Sequence, residues 1–149
     1  MIWYLIDINV RLEMTWDQRP QHANAVRWYD SIDDADLRFC RFTQLGFLRL
    51  LTNEKVMGGS TATVSGALEL YDRWKRDPRV ELALEPRRTE ALFRQSVARF
   101  GRLSATKAIA DCYLVGFAEA AGAQLVTFDK GLAVSARHRE VAVTLIHPM

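Results

Sequence analysis

Cysteine is scarce in this chain: only Cys40 and Cys112 occur, without the paired spacing that a structural metal site uses. Both stand in apolar surroundings, which reads as buried, reduced thiols and leads us to expect a cytoplasmic protein. Histidine is scarce as well. His22 and His138 lie in polar stretches and His147 is close to the last residue, so no zinc constellation is legible. A long hydrophobic run is missing. The opening stretch "IWYLI" is cut off by Asp7, too short for a membrane span, and it lacks the basic start and small-residue cleavage site of a secretion signal. No membrane partner is expected. A glycine-rich phosphate loop is also lacking, which argues against a nucleoside-triphosphate site. Nor does one sign of charge dominate: 20 Lys and Arg against 18 Asp and Glu leave a formal +2, which permits a nucleic-acid partner without arguing for one.

What is present is a core. With 149 residues, 49% of them hydrophobic, and neither linker, repeat nor low-complexity tract, residues 1–149 read as one compact domain. Strands are expected at Ile2 to Ile6, Leu37 to Cys40, Val80 to Leu84, Gln124 to Thr127 and Val141 to Ile146. Apolar residues recur at helical spacing between them: Ala25, Trp28, Tyr29 and Ile32; Leu45, Leu48 and Leu51; Ala67, Leu70, Tyr71 and Trp74; Leu92, Phe93, Val97 and Phe100; Ala110, Leu114, Phe117 and Ala121. Gly122 stands where the last of these helices would end, and Gly58-Gly59 precede Ser60 or Thr61 as a helix cap. Alternating strands and helices imply an α/β fold, a mostly parallel sheet of about five strands with helices on both faces.

Ligands of such sheets bind outside the carboxyl ends of the strands. Two expected strands end there on an acid: "WYLID" on Asp7, and "LVTFD" on Asp129. Each has a plainer reading, Asp7 as the cap of a following helix and Asp129 as part of a turn in "TFDKG". A third acid, Asp111, is embedded in the apolar run "AIADCYLV", where an unpartnered carboxylate is costly. Its helix feeds the strand at Gln124 and must run antiparallel to it, which brings the helix start, with Asp111, to the edge that holds Asp7 and Asp129. Three carboxylates there repel one another unless a hard divalent cation, Mg2+ or Mn2+, lies between them. Such a metal activates water and stabilises charge on a phosphoryl oxygen, the two needs of phosphodiester hydrolysis.

These residues resemble the PIN domain, and specifically ribonuclease toxins of the VapC type. The stretch "LIDINV" is similar to the family's opening strand, "FTQLGFLRLLT" to its third-helix signature, and "ADCYLVGFAEAAGAQLVTFDKGL" to its third and fourth acidic positions. The resemblance spans the chain. It implies a metal-dependent endoribonuclease of a type II toxin–antitoxin system, a homodimer, and a cognate antitoxin partner. It places Asp7, Asp111 and Asp129 as catalytic and metal-binding residues, and puts Gln44 where the family usually has a Glu. Asn9 and Thr127 are expected to support the carboxylates, and Arg11, Arg41, Lys107 and Lys130 to meet RNA phosphates. Loss of the second acid leaves an alternative, a PIN domain that binds RNA or protein without cutting. Phosphatases of the haloacid dehalogenase class also open on a strand ending in Asp, but want a second Asp where this chain has Asn9.

Overall fold

The computed structural model describes residues 1–147. Its centre is a parallel sheet of four strands in the order β2-β1-β3-β4: β1 (Ile2–Ile6), β2 (Ala35–Arg38), β3 (Gln124–Thr127) and β4 (Val143–Leu145). The side chains of β1 show why it sits in the middle. Tyr4 and Ile6 enter one apolar core with Val10, Leu37, Phe39, Phe47 and Val126. Leu5 enters the other, with Leu114, Phe117, Leu125 and Leu132. Alternate residues of one strand thus feed two cores, as a sheet covered on both faces requires.

The helices are α1 (Ile8–Thr15), α2 (His22–Asp30), α3 (Arg41–Leu51), α4 (Glu54–Met57), α5 (Val64–Trp74), α6 (Thr89–Val97), α7 (Thr106–Ala121) and α8 (Lys130–His138). The expected helical faces lie in α2, α3, α5, α6 and α7, except that Ile32 falls past the end of α2 and Phe100 in a 3-10 turn after α6. Gly122 ends α7 in the left-handed region, φ 68°, which its missing Cβ allows. The cap of α5 is Thr63, whose hydroxyl accepts from the Gly66 N–H; Gly58 to Ser60 instead form a single 3-10 turn. At Gly116 the backbones of α6 and α7 approach so closely that a Cβ would stand 2.7 Å from the Phe93 nitrogen.

The expected fifth strand, Val80 to Leu84, is reduced to one bridge. Phe39 pairs with Leu82, and the Phe39 and Ala83 N–H groups donate to Glu81 O and Phe39 O at 2.8 and 2.7 Å. This segment lies on the sheet edge between Pro78 and Pro86, which have no N–H to extend a ladder. Cys40, expected at the end of β2, is the N-cap of α3. Cys40 and Cys112 are both buried and unpaired. Among the described residues no helix is long and apolar enough to cross a membrane.

Candidate active site

The parallel register brings the first acid to its place. Ile6 pairs with Val126, so Asp7 is opposite Thr127, and the Asp7 N–H donates to Val126 O at 2.9 Å, continuing the ladder by one residue. Thr127 is fully buried. Its hydroxyl donates to Asp7 Oδ2 at 2.7 Å and accepts from the Asp129 N–H at 2.9 Å, so a single oxygen ties the two strand-end acids together. The capping readings hold at the same time. Asp7 Oδ1 accepts from the Ile8 N–H at 2.8 Å at the start of α1. Asp129 Oδ1 accepts from the N–H groups of Gly131 and Leu132 at 2.7 and 3.3 Å at the start of α8.

Asp111 arrives from α7, whose first turns lie over the same edge because the helix runs back against β3. Asp7, Asp111 and Asp129 line one cavity of about 560 Å³. Ile8, Asn9, Leu45, Gly46, Arg49, Asn53 and Lys107 complete much of its wall. Lys107, one helical turn before Asp111, donates its ammonium to Asp111 Oδ2 at 2.9 Å and also pairs with Asp129 Oδ2. Burial pushes the Asp7 carboxyl above the ordinary range; the Thr127 and Ile8 donors oppose this, and the charges of Asp111 and Asp129 add to it. Asp129 moves the other way: burial raises it, but the Lys107 ammonium and the backbone donors of α8 outweigh that and hold it below the usual carboxylate range.

The donor set is chemically right for a hard divalent cation: carboxylate oxygens from three segments, facing one cavity, two of them already bound to a cationic group. The expected three-carboxylate centre is nevertheless not preassembled. Among the described residues no three His, Cys, Asp or Glu side chains stand close enough to hold a metal. Like charges repel, and an ammonium between two of the acids satisfies them where they are.

Several expected contributors are elsewhere. Arg11 cannot meet RNA: it is fully buried in α1, its guanidinium 4.1 Å from the Phe39 ring centroid and donating to Leu37 O at 2.6 Å. Burial lowers it to about 9. The reason is that α1 is enclosed on all sides: Val10 to Met14 are buried in succession, more than a full helical turn, so no rotation of the helix would present Arg11 to solvent. Gln44 does not line the cavity; its Oε1 accepts from the exposed Arg41, which lies in a different depression with Leu82, Glu85 and Tyr113. The face of α3 turned to the acids carries Phe42, Leu45, Gly46 and Arg49 instead. Lys130 is exposed beside Asp129 but is not part of the wall. Asn9 is part of it. Arg49 and Asn53 escaped the sequence reading; Arg49 shares the α3 face of Phe42 and Gly46, and Asn53 follows that helix as the N-cap of α4.

Comparison with known proteins places the fold. Residues 4–137 match the family model described as PIN domain. The chain belongs to the PIN domain family. Ribonuclease VapC41 of Mycobacterium tuberculosis is 37% identical over 130 residues, spanning 84% of this chain and 88% of that protein, so this PIN domain is of the VapC type. The solved structure of VapBC2 from Rickettsia felis, bound to a DNA fragment from its promoter, has a TM-score of 0.67 at 10% identity. The alignment covers 97% of this PIN domain and 98% of that chain. VapC20 of Mycobacterium tuberculosis has a TM-score of 0.65 at 11% identity, over 89% of this chain and 94% of that one. At such identities these two structures support the fold alone.

Proposed function

We propose that this protein is a divalent-metal-dependent endoribonuclease, the toxin of a type II toxin–antitoxin pair. The observation that carries the reading is the meeting of Asp7, Asp111 and Asp129, from two strand ends and a helix, in one cavity at the carboxyl edge of a parallel sheet. Membership of the VapC group, whose matched relatives VapC41 and VapC39 are named ribonucleases, supports it. The three carboxylates would hold Mg2+ or Mn2+, which when bound supplies an activated water and charge stabilisation at a phosphoryl oxygen. Thr127 keeps Asp7 and Asp129 in register through its two hydrogen bonds. The Lys107 ammonium and the backbone donors of α8 hold the Asp129 carboxyl below the usual carboxylate range. Lys107 of α7 and Arg49 of α3, both in the cavity wall, would receive backbone phosphates. A cognate antitoxin is the natural protein partner, and a basic side chain from it would satisfy the carboxylates as Lys107 does now.

One observation favours a second reading, RNA or protein binding without cleavage: among the described residues no fourth carboxylate lines the cavity, and an ammonium lies between two of the three. One assay separates them. The purified, antitoxin-free protein should cut RNA with Mn2+ or Mg2+ and stop on chelation. Asp111→Asn should lose at least about a hundredfold in rate, as removal of a group that acts on the developing charge does, while keeping its thermal unfolding profile. Absence of any metal-dependent cut by the wild-type protein would leave the binding reading.

A further inference from the structure

Lys107 stands in the first turn of α7, at the end of the helix where the backbone N–H groups already present positive charge. A cation there gains nothing from the helix. Its pairing with Asp111 has the weaker of the two i,i+4 orientations, with the base N-terminal to the acid. Its side chain is 63% exposed, against 17% and 24% for Asp111 and Asp129. The flexible stem therefore reaches from solvent into the cavity, and what holds its ammonium is the pair of carboxylates. Lys107 is the cation those two acids bind when no other is offered.

We propose that Lys107 is an exchangeable internal counter-ion of this site, which a divalent cation must displace to bind Asp111 and Asp129, and which is thereby freed to face an RNA phosphate at the rim. The inference rests on the metal-dependent reading above and adds to it a competition built into the chain. Without metal, the ammonium offsets repulsion among the acids and keeps the site closed to weakly held ions. With metal and substrate, the same positive charge lies one side-chain rotation from the cavity mouth. The exchange needs no backbone movement, since the lysine stem is mostly in solvent.

The test is titration of Mn2+ into the wild-type protein, Lys107→Met and Lys107→Arg, by calorimetry and by the rise in melting temperature with added metal, with no RNA present. Lys107→Met keeps the length of the stem and removes the charge. It should bind Mn2+ roughly three- to tenfold more tightly, the scale of one or two partly exposed ion pairs, and should melt lower than wild type in the metal-free state. Lys107→Arg, whose planar fork pairs bidentately with carboxylates, should bind Mn2+ no more tightly than wild type. Mn2+ affinities that are equal in wild type and Lys107→Met, or weaker in the variant, overturn the counter-ion role while leaving the metal site intact. Failure of all three proteins to bind Mn2+ overturns the metal-dependent reading itself, and this proposal with it.

Discussion

Replacing Thr127 by Val exchanges a hydroxyl for a methyl in a fully buried position and leaves the shape of the side chain almost unchanged. Two hydrogen bonds disappear: the one donated to Asp7 Oδ2 at 2.7 Å and the one accepted from the Asp129 N–H at 2.9 Å. A hydrogen bond to a charged acceptor contributes about 1.5–3 kcal/mol, and a donor left without a partner costs about 1–3 kcal/mol. The two losses share one oxygen and the Asp129 N–H gains some access to water, so their sum is an upper bound. A net loss of about 2–4 kcal/mol corresponds to a fall of roughly 5–12 °C in melting temperature for a chain of this size. Asp7 would also lose its strongest opposing influence against burial, so its carboxyl should move further up. Thr127→Ser, which keeps the oxygen and removes one methyl, should cost about 1 kcal/mol. Urea denaturation of the three proteins, with RNA cleavage measured alongside, makes the comparison. If Thr127→Val lies within about 0.5 kcal/mol of wild type, the ordinary range for surface changes, or if Thr127→Ser is the worse of the two, the hydroxyl does not tie the two acids together.

Gln44→Glu should leave Mn2+ affinity unchanged, because the side chain lies outside the cavity wall beside Arg41; a tightened calorimetric isotherm would show that α3 turns this residue toward the acids. Gly46→Ala should destabilise by about 1 kcal/mol, an overpacking cost partly offset by the better helix propensity of Ala. Its Cβ would stand 2.2 Å from Ile8 Cδ1. Adding Ile8→Ala should therefore remove much of the penalty, and a strictly additive double-mutant cycle in urea would contradict the contact. Asp7→Asn should abolish cleavage yet stabilise the metal-free protein near neutral pH. The sign follows from burial: an acid whose folded pKa is raised costs stability above its unfolded value near 3.8, and that cost vanishes as protonation completes at lower pH. The advantage of Asp7→Asn in melting temperature should accordingly shrink as the pH is lowered toward 4, and an advantage that grows on acidification would refute the assignment.

Composition and periodicity alone determined a good deal: an α/β domain, a parallel sheet, all four ladder strands to within two residues, and the sheet edge that Asp7, Asp111 and Asp129 share. These are local properties. An apolar run of strand length, a 3.6-residue spacing and an acid at a strand end can be read from neighbouring residues, and the antiparallel return of a helix onto its strand follows from short connections. The short helices escaped notice for the same reason. The periodicity of α1 is broken by a buried arginine, and α8 begins inside what looks like an ordinary Asp-Lys-Gly turn. Tertiary structure alone decided which side chains on the right elements face the site. Arg11 is buried because α1 is enclosed on all sides, Gln44 is turned aside while Gly46 and Arg49 face the acids, and Lys107 spans two carboxylates eighteen positions apart in the chain. A rotation of 100° per residue separates neighbours on a helix. Without the packing that sets the helix rotation, a stretch can be assigned to the correct edge of the sheet and its active face still be missed by a residue or two.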